Sequence, residues 1–340
     1  DIVINCRDDG HDIKNFVVNN PKDPNTTHWS RRLFNLEYFF QKGLTWSAVT
    51  SGSFSVRVIR EGVIPGTGSK SLYGLDEKDS NSLLGLLNSK VTSYYLSVFS
   101  PTLNFEAGDV AKVPVNIKSI EISETVNSCV EIAKLDWDAY EVSWDFLQQQ
   151  LFKHKGQDIE ETYDLYKQYW KNKFLQLHKD EEELNRQFIE IYGLKDELIP
   201  DVPLEHITIL KEEISIENGQ LIFHANEVVA QFMSYSVGCM FGRYSLDEEG
   251  LILASKGETV QDYYQKIGKT EAEVIFAPDK DNIIPVLEDE WFEDDVVTRF
   301  YQFLKATFGE KGFQKNLAFL EEQLGCTVRK YFTREFYADH

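Results

Sequence analysis

Hydrophobic and polar positions change their period several times along the chain, and each period predicts an element. Across Phe54-Ser55-Val56-Arg57-Val58 the two types alternate. A strand results, with Phe54, Val56 and Val58 on one face and Ser53, Ser55 and Arg57 on the other. Pro65, Gly66, Gly68 and Ser69 mark a loop, and Lys70 follows it. The period then lengthens: Leu83, Leu84, Leu87, Val91, Tyr94 and Tyr95 predict one amphipathic helix capped by Asp79 or Ser80. Asn104, Phe105 and Gly108 suggest a turn. Val110-Ala111-Lys112-Val113-Pro114-Val115 then reads as a short strand, which Pro114 places at a sheet edge.

From about residue 124 to 195 the pattern is helical. Tyr163, Tyr166, Trp170, Phe174 and Leu177 fall on one stripe, and Asp180 with Glu183 forms a capping box ahead of Leu184, Phe188 and Ile191. The stripe is read as a packing surface. After Pro200 and Pro203, Ile214-Ser215-Ile216 and Leu221-Ile222-Phe223 flank Asn218-Gly219, a hairpin signal because both turn residues tolerate positive φ. Val228, Val229, Phe232 and Met233 predict a helix. So do Val297, Phe300, Tyr301, Leu304 and Phe308, and again Phe313, Leu317, Leu320 and Leu324, the last stopping at Gly325. The sum is an α+β chain: a mixed α/β domain over 1–120, a helical connector over 121–198 and an acidic α+β domain over 199–340.

Composition supports several folded cores: the chain has 340 residues, of which 42% are hydrophobic and 13% aromatic. It opens on Asp1-Ile2-Val3 without a methionine and reads as a piece of something longer. With neither a charged-then-apolar leader nor a long apolar run, no membrane association is expected. Cys6, Cys129, Cys239 and Cys326 lie 123, 110 and 87 residues apart. That spacing fits neither a disulfide framework nor a zinc site, so buried, inert thiols in a reducing cytoplasm are expected.

Charge changes the picture more. The net value is −21, which alone argues against nucleic acid. Residues 1–120, however, carry 13 Lys and Arg against 12 Asp and Glu, whereas the remainder carries 22 against 44. Two charge regimes imply two roles.

Familiar catalytic signatures are missing. The sequence contains no Gly-x-x-x-x-Gly-Lys-[Ser/Thr] loop, no His-Glu-x-x-His and no Gly-x-Ser-x-Gly. Gly66-Thr67-Gly68 is not a nucleotide loop, because the next predicted helix begins a dozen residues later. The run Glu288-Asp289-Glu290-Trp291-Phe292-Glu293-Asp294-Asp295 lacks a metal-loop pattern and reads as a solvated loop whose last acids cap the helix after it. Asp279, Asp281 and Asn282 read the same way.

Several segments carry a resemblance. Trp46-Ser47-Ala48, Ser51-Gly52-Ser53-Phe54-Ser55-Val56-Arg57, Leu83-Leu84-Gly85-Leu86-Leu87-Asn88-Ser89-Lys90, Pro101-Thr102-Leu103-Asn104-Phe105 and Gly108-Asp109-Val110-Ala111-Lys112-Val113-Pro114-Val115 resemble the target-recognition region of adenine-specific DNA methyltransferases. The Leu-Leu-x-x-Leu-Asn-Ser-Lys helix is also similar to one in type I restriction specificity subunits. Downstream, Asp136-Trp137-Asp138, Ser143-Trp144-Asp145-Phe146, the stretch from Ser236 to Asp247, Ile283-Ile284-Pro285-Val286 and the acidic run resemble the PglX-type methyltransferases of BREX phage-defence systems.

The resemblance implies a parent enzyme that methylates adenine N6 in a short DNA site with S-adenosylmethionine and has other phage-defence proteins as partners. Its catalytic domain, with an Asn-Pro-Pro-Tyr-type motif clamping a flipped adenine, would precede this region. No Asn-Pro-Pro and no Phe-x-Gly-x-Gly occur here, so no catalytic or cofactor-binding residue is expected in this chain. Residues 1–120 would instead bind double-stranded DNA. Ser53, Ser55, Arg57, Arg60 and Lys70 supply the side-chain types that reach base edges and phosphates. Two alternatives stay open: an acidic protein-interaction module of a defence complex, and part of a combined restriction-modification enzyme.

Overall fold

In the computed structural model, which describes residues 5–116 and 122–339, helices dominate and the strands form two small antiparallel sheets, so the fold is α+β as expected. The chain divides into two compact units, Asp1–Val126 with Leu184–Pro200, and Asn127–Glu183 with Asp201–His340. The expected boundary at 120 lies outside the described residues.

The first unit opens with α1 (Arg7–Val18) and holds a three-stranded sheet of β1 (Gly43–Ser47), β2 (Val56–Ile59) and β3 (Ser69–Leu72), with β1 in the middle. Gly43 is required where it stands: a Cβ there would lie 2.5 Å from the Leu72 carbonyl oxygen. Leu44, Trp46 and Val56 are buried on one side of the sheet. The indole of Trp46 is satisfied by donating to the Phe105 carbonyl at 2.9 Å. The alternation expected for 54–58 holds only in part. Phe54 and Val56 are buried, but Val58, on an edge strand and paired with Leu44, is 51% exposed, and Ile59, on the Arg57 face, is buried.

The single helix expected over 83–95 is two, α2 (Glu77–Asn88) and α3 (Lys90–Phe99), and the cap of the first is Asp76, not Asp79 or Ser80. Ser89 turns extended between them. Its hydroxyl and that of Thr92 both donate to the Leu86 carbonyl, and the backbone amide of Lys90 donates to Asn185 Oδ1 at 2.8 Å. Side chains thus satisfy both broken helix ends. The strand expected over 110–115 is also absent. Short α4 (Ala107–Val110) runs into a turn, and Val110 and Val113, three residues apart, are buried in helical phase while Val115 is exposed.

Two helices follow. The first, α5, spans Ser123–Trp137, and the second, α6, spans Ile159–Ile191 and contributes residues to both units. The helical reading of 124–195 is therefore broken by loops between them. Tyr166, Trp170, Phe174 and Leu177 are buried as the stripe predicted. The expected capping box at Asp180 is not one, since α6 passes through without a break and its amides are already bonded. Asp180 instead accepts hydrogen bonds from Ser128 Oγ and Gln176 Nε2, each at 2.7 Å.

The rest of the second unit follows the sequence closely. Strands β4 (Ile214–Glu217) and β5 (Gln220–Phe223) pair across Asn218 and Gly219, both at positive φ. Helix α7 (Ala225–Met240) buries Phe232, Met233, Tyr235 and Cys239. Of the four cysteines, Cys239 alone is buried and the others are half-buried; all are free thiols. Gly238 cannot carry a side chain, because a Cβ would lie 2.5 Å from the Tyr244 ring, which stacks on Tyr235 at 5.0 Å. After α8 (Val260–Ile267), α9 (Val296–Phe308) and α10 (Phe313–Leu324) close the core with Phe300, Phe303, Leu304 and Leu320. Each such buried side chain contributes about 1.5–3 kcal/mol from lost apolar surface. Asp295 caps α9 by accepting from the Thr298 amide at 2.8 Å, as the acidic run predicted, and α10 stops at Gly325.

Candidate nucleic-acid interface

Sheet register decides which of the expected side chains stand together. In β2-β1-β3, Thr45 is opposite Arg57 on one side and Ser71 on the other, so the three project from the same face. That face is opposite the one buried through Leu44, Trp46 and Val56. The Thr45 hydroxyl donates to the Lys70 carbonyl at 2.9 Å and accepts from the Ser71 hydroxyl at 3.3 Å. Arg57 is exposed and makes no ion pair with any described residue.

The other expected residues are distributed differently. Ser53 and Ser55 precede β2 in the connection from β1, with Ser53 exposed and Ser55 half-buried. Arg60 follows the strand directly and is exposed. Lys70 is opposite Trp46, hence on the other face from Arg57, and its ammonium is 3.0 Å from the Glu106 carboxylate. Thr45 and Ser71 escaped the sequence reading. Their signal was the alternation Leu44-Thr45-Trp46-Ser47 and Ser69-Lys70-Ser71-Leu72, too short to stand out without the pairing.

Asn88, at the end of α2, fixes β2 in place. Its side-chain oxygen accepts from the Val56 amide at 2.8 Å, and its amide nitrogen donates to the carbonyls of Val56 and Leu84, each at 3.0 Å. One side chain therefore satisfies both backbone groups of an edge-strand residue, directly before Arg57. The Asn of the Leu-Leu-x-x-Leu-Asn-Ser-Lys motif is a docking residue for the strand that carries the arginine.

No family model matches the chain. Two curated proteins do. The adenine-specific methyltransferase BrxX of Escherichia coli O9:H4 (strain HS) is 33% identical over 360 residues, covering 99% of the chain. The adenine-specific methyltransferase PglX of Lacticaseibacillus casei (strain Zhang) is 31% identical over 354 residues, again covering 99%. Over almost its whole length the chain is similar to part of the BREX adenine-specific methyltransferases BrxX and PglX. It spans 28% of BrxX and 27% of PglX, little more than a quarter of the curated relatives it matches.

Two hollows open among the described residues of the second unit. One is lined by Glu227, Cys326, Tyr331 and Glu335, the other by Tyr264, Lys269 and Glu271. Neither borders the end of a parallel strand, where a nucleotide-like group usually sits, and both sheets here are antiparallel. No group of His, Cys, Asp and Glu among the described residues can hold a metal ion, and no helix is long and apolar enough to cross a membrane. Perturbed acids do occur in the second unit, but inside the core. Glu213 is buried and accepts hydrogen bonds from the Tyr166 hydroxyl and from Gln231 Nε2 at 3.0 Å; burial pushes its carboxyl above the usual range. Burial likewise raises Asp136 to about 6. The partners of Glu213 are supplied from within the core.

Proposed function

We propose that the first unit reads the duplex DNA target for an N6-adenine methyltransferase of a BREX-type phage-defence system. The catalytic domain, which would hold S-adenosylmethionine, lies in the part of the longer protein outside this chain. The row of Thr45, Arg57 and Ser71 carries this reading: an arginine without an ion pair among the described residues beside two hydroxyls, on the sheet face opposite Leu44, Trp46 and Val56 and next to the buried Ile59. A guanidinium can give two parallel hydrogen bonds to guanine O6 and N7, and hydroxyls can donate to or accept from base edges. Arg60, Ser53 and Ser55 sit at the ends of β2, within reach of adjacent phosphates or bases, and Lys70 contributes charge from the other face. DNA, the methyltransferase domain and other proteins of the same system are the partners, which puts the work in the cytoplasm.

The test is methylome sequencing of cells whose full-length enzyme carries Arg57→Ala, after thermal melting has verified the fold. Loss of a base contact, worth about 1–3 kcal/mol of discrimination, relaxes the methylated site at one position. A phosphate contact weakens methylation evenly at all sites. Unchanged methylation with normal stability removes Arg57 from the interface.

A further inference from the structure

Away from the sheet, the second unit displays two tryptophans that the core does not use. Trp137 is 52% exposed and Trp144 59%, and between them Val142 is 71% exposed. Leu147 and Leu251, also exposed, extend the same surface, since the Gly250 amide donates to the Leu147 carbonyl at 2.7 Å. Scattered apolar residues on a surface are normal, but two exposed tryptophans and an exposed valine within eight residues of one anchored segment are not.

The loop that presents them is held from within. Ser143 Oγ donates to Asp138 Oδ1 at 2.7 Å and accepts from the Asp145 amide at 3.1 Å, and Lys134 bridges the Asp138 and Asp145 carboxylates. Ala139 and Phe146 are buried beneath, with the Phe146 ring against Tyr235 and Tyr244. Anchored indoles lose little freedom on binding, and tryptophans of this kind dominate protein interfaces.

The rim selects the occupant. Asp145, Glu248 and Glu249 are exposed around the patch and outnumber the cations beside it, Arg243 on the Tyr244 ring and Lys134, which is engaged by two carboxylates. Such a rim repels phosphates and anionic lipid headgroups, and a second copy of this chain would bring the same acids face to face. We propose that the Trp137–Trp144 loop docks a partner protein through an amphipathic helix whose apolar face covers the indoles and whose flanks carry Lys or Arg. This docking role is independent of DNA reading by the first unit.

The test titrates the full chain with a synthetic helix of leucine on one face and lysine on the other, followed by tryptophan fluorescence. Poly-lysine and duplex DNA serve as comparisons. The helix is expected to bind saturably and to weaken by about tenfold in Trp137→Ala/Trp144→Ala, while Trp291→Ala, exposed elsewhere, has no effect. Glu248→Lys/Glu249→Lys, which leaves the indoles and the core untouched, is expected to weaken it by about threefold or more. Equal binding by the double tryptophan variant overturns the proposal. So does poly-lysine binding as tightly as the helix, or duplex DNA binding that depends on the two tryptophans.

Discussion

Asp136 shows how one residue can set a pH dependence without taking part in chemistry. Its carboxylate accepts the Leu210 amide at 2.8 Å, and Leu210 itself holds a positive φ of 57°, so the acid anchors a backbone turn that a leucine adopts reluctantly. Burial raises its pKa from 3.8 to about 6. A carboxyl whose folded pKa exceeds its unfolded one favours the fold while protonated, and that contribution is lost as pH climbs from about 4 to about 6. Asp136→Asn keeps an acceptor for Leu210 and carries no charge. It is expected to stabilise the second unit by about 1 kcal/mol at neutral pH and by nothing near pH 4, with thermal melting across that range as the measurement. A constant gain at all pH values would show that charge is not the cause.

At the scale of elements, the same economy appears where α2 meets β2. Asn88→Ala removes the partners of both Val56 backbone groups at once. Water replaces them in part, so a cost of about 1 kcal/mol and a drop in Tm of a few degrees are expected. Hydrogen exchange at the Val56 amide should quicken more than exchange at β1. Comparable exchange at both would mean that the clamp is dispensable. Elements whose signals are local were legible in the sequence: Asn218-Gly219 requires its hairpin, and the spacing of Phe300 and Leu304 its helix. Elements decided by distant groups were not. The break at Ser89 depends on Asn185, ninety-six residues away, and the fate of Val110–Val115 on a helical phase that two valines share with α4. The site was half legible for the same reason. Arg57 is marked by alternation, whereas Thr45 and Ser71 become its neighbours only through the register.

For the whole molecule, the uneven charge has a measurable consequence. Residues 1–120 are nearly neutral while the remainder carries 44 acids against 22 bases, so phosphates should be excluded from the acidic part. Photocrosslinks from duplex DNA are expected within residues 1–120, and crosslinks concentrated after residue 200 would contradict the proposed division. The separation of the sheet's two faces has a different bearing, on how such a protein can change over time. Leu44, Trp46 and Val56 hold the fold from one side, and Thr45, Arg57 and Ser71 face away from them. Exchanges at exposed positions usually alter stability by about 0.5 kcal/mol or less. If the row reads the target as proposed, a lineage under pressure from phages could change exposed Arg57 at little cost to the fold, while Thr45 and Ser71, half-buried and bonded to each other, Thr45 also to the Lys70 carbonyl, would change more slowly.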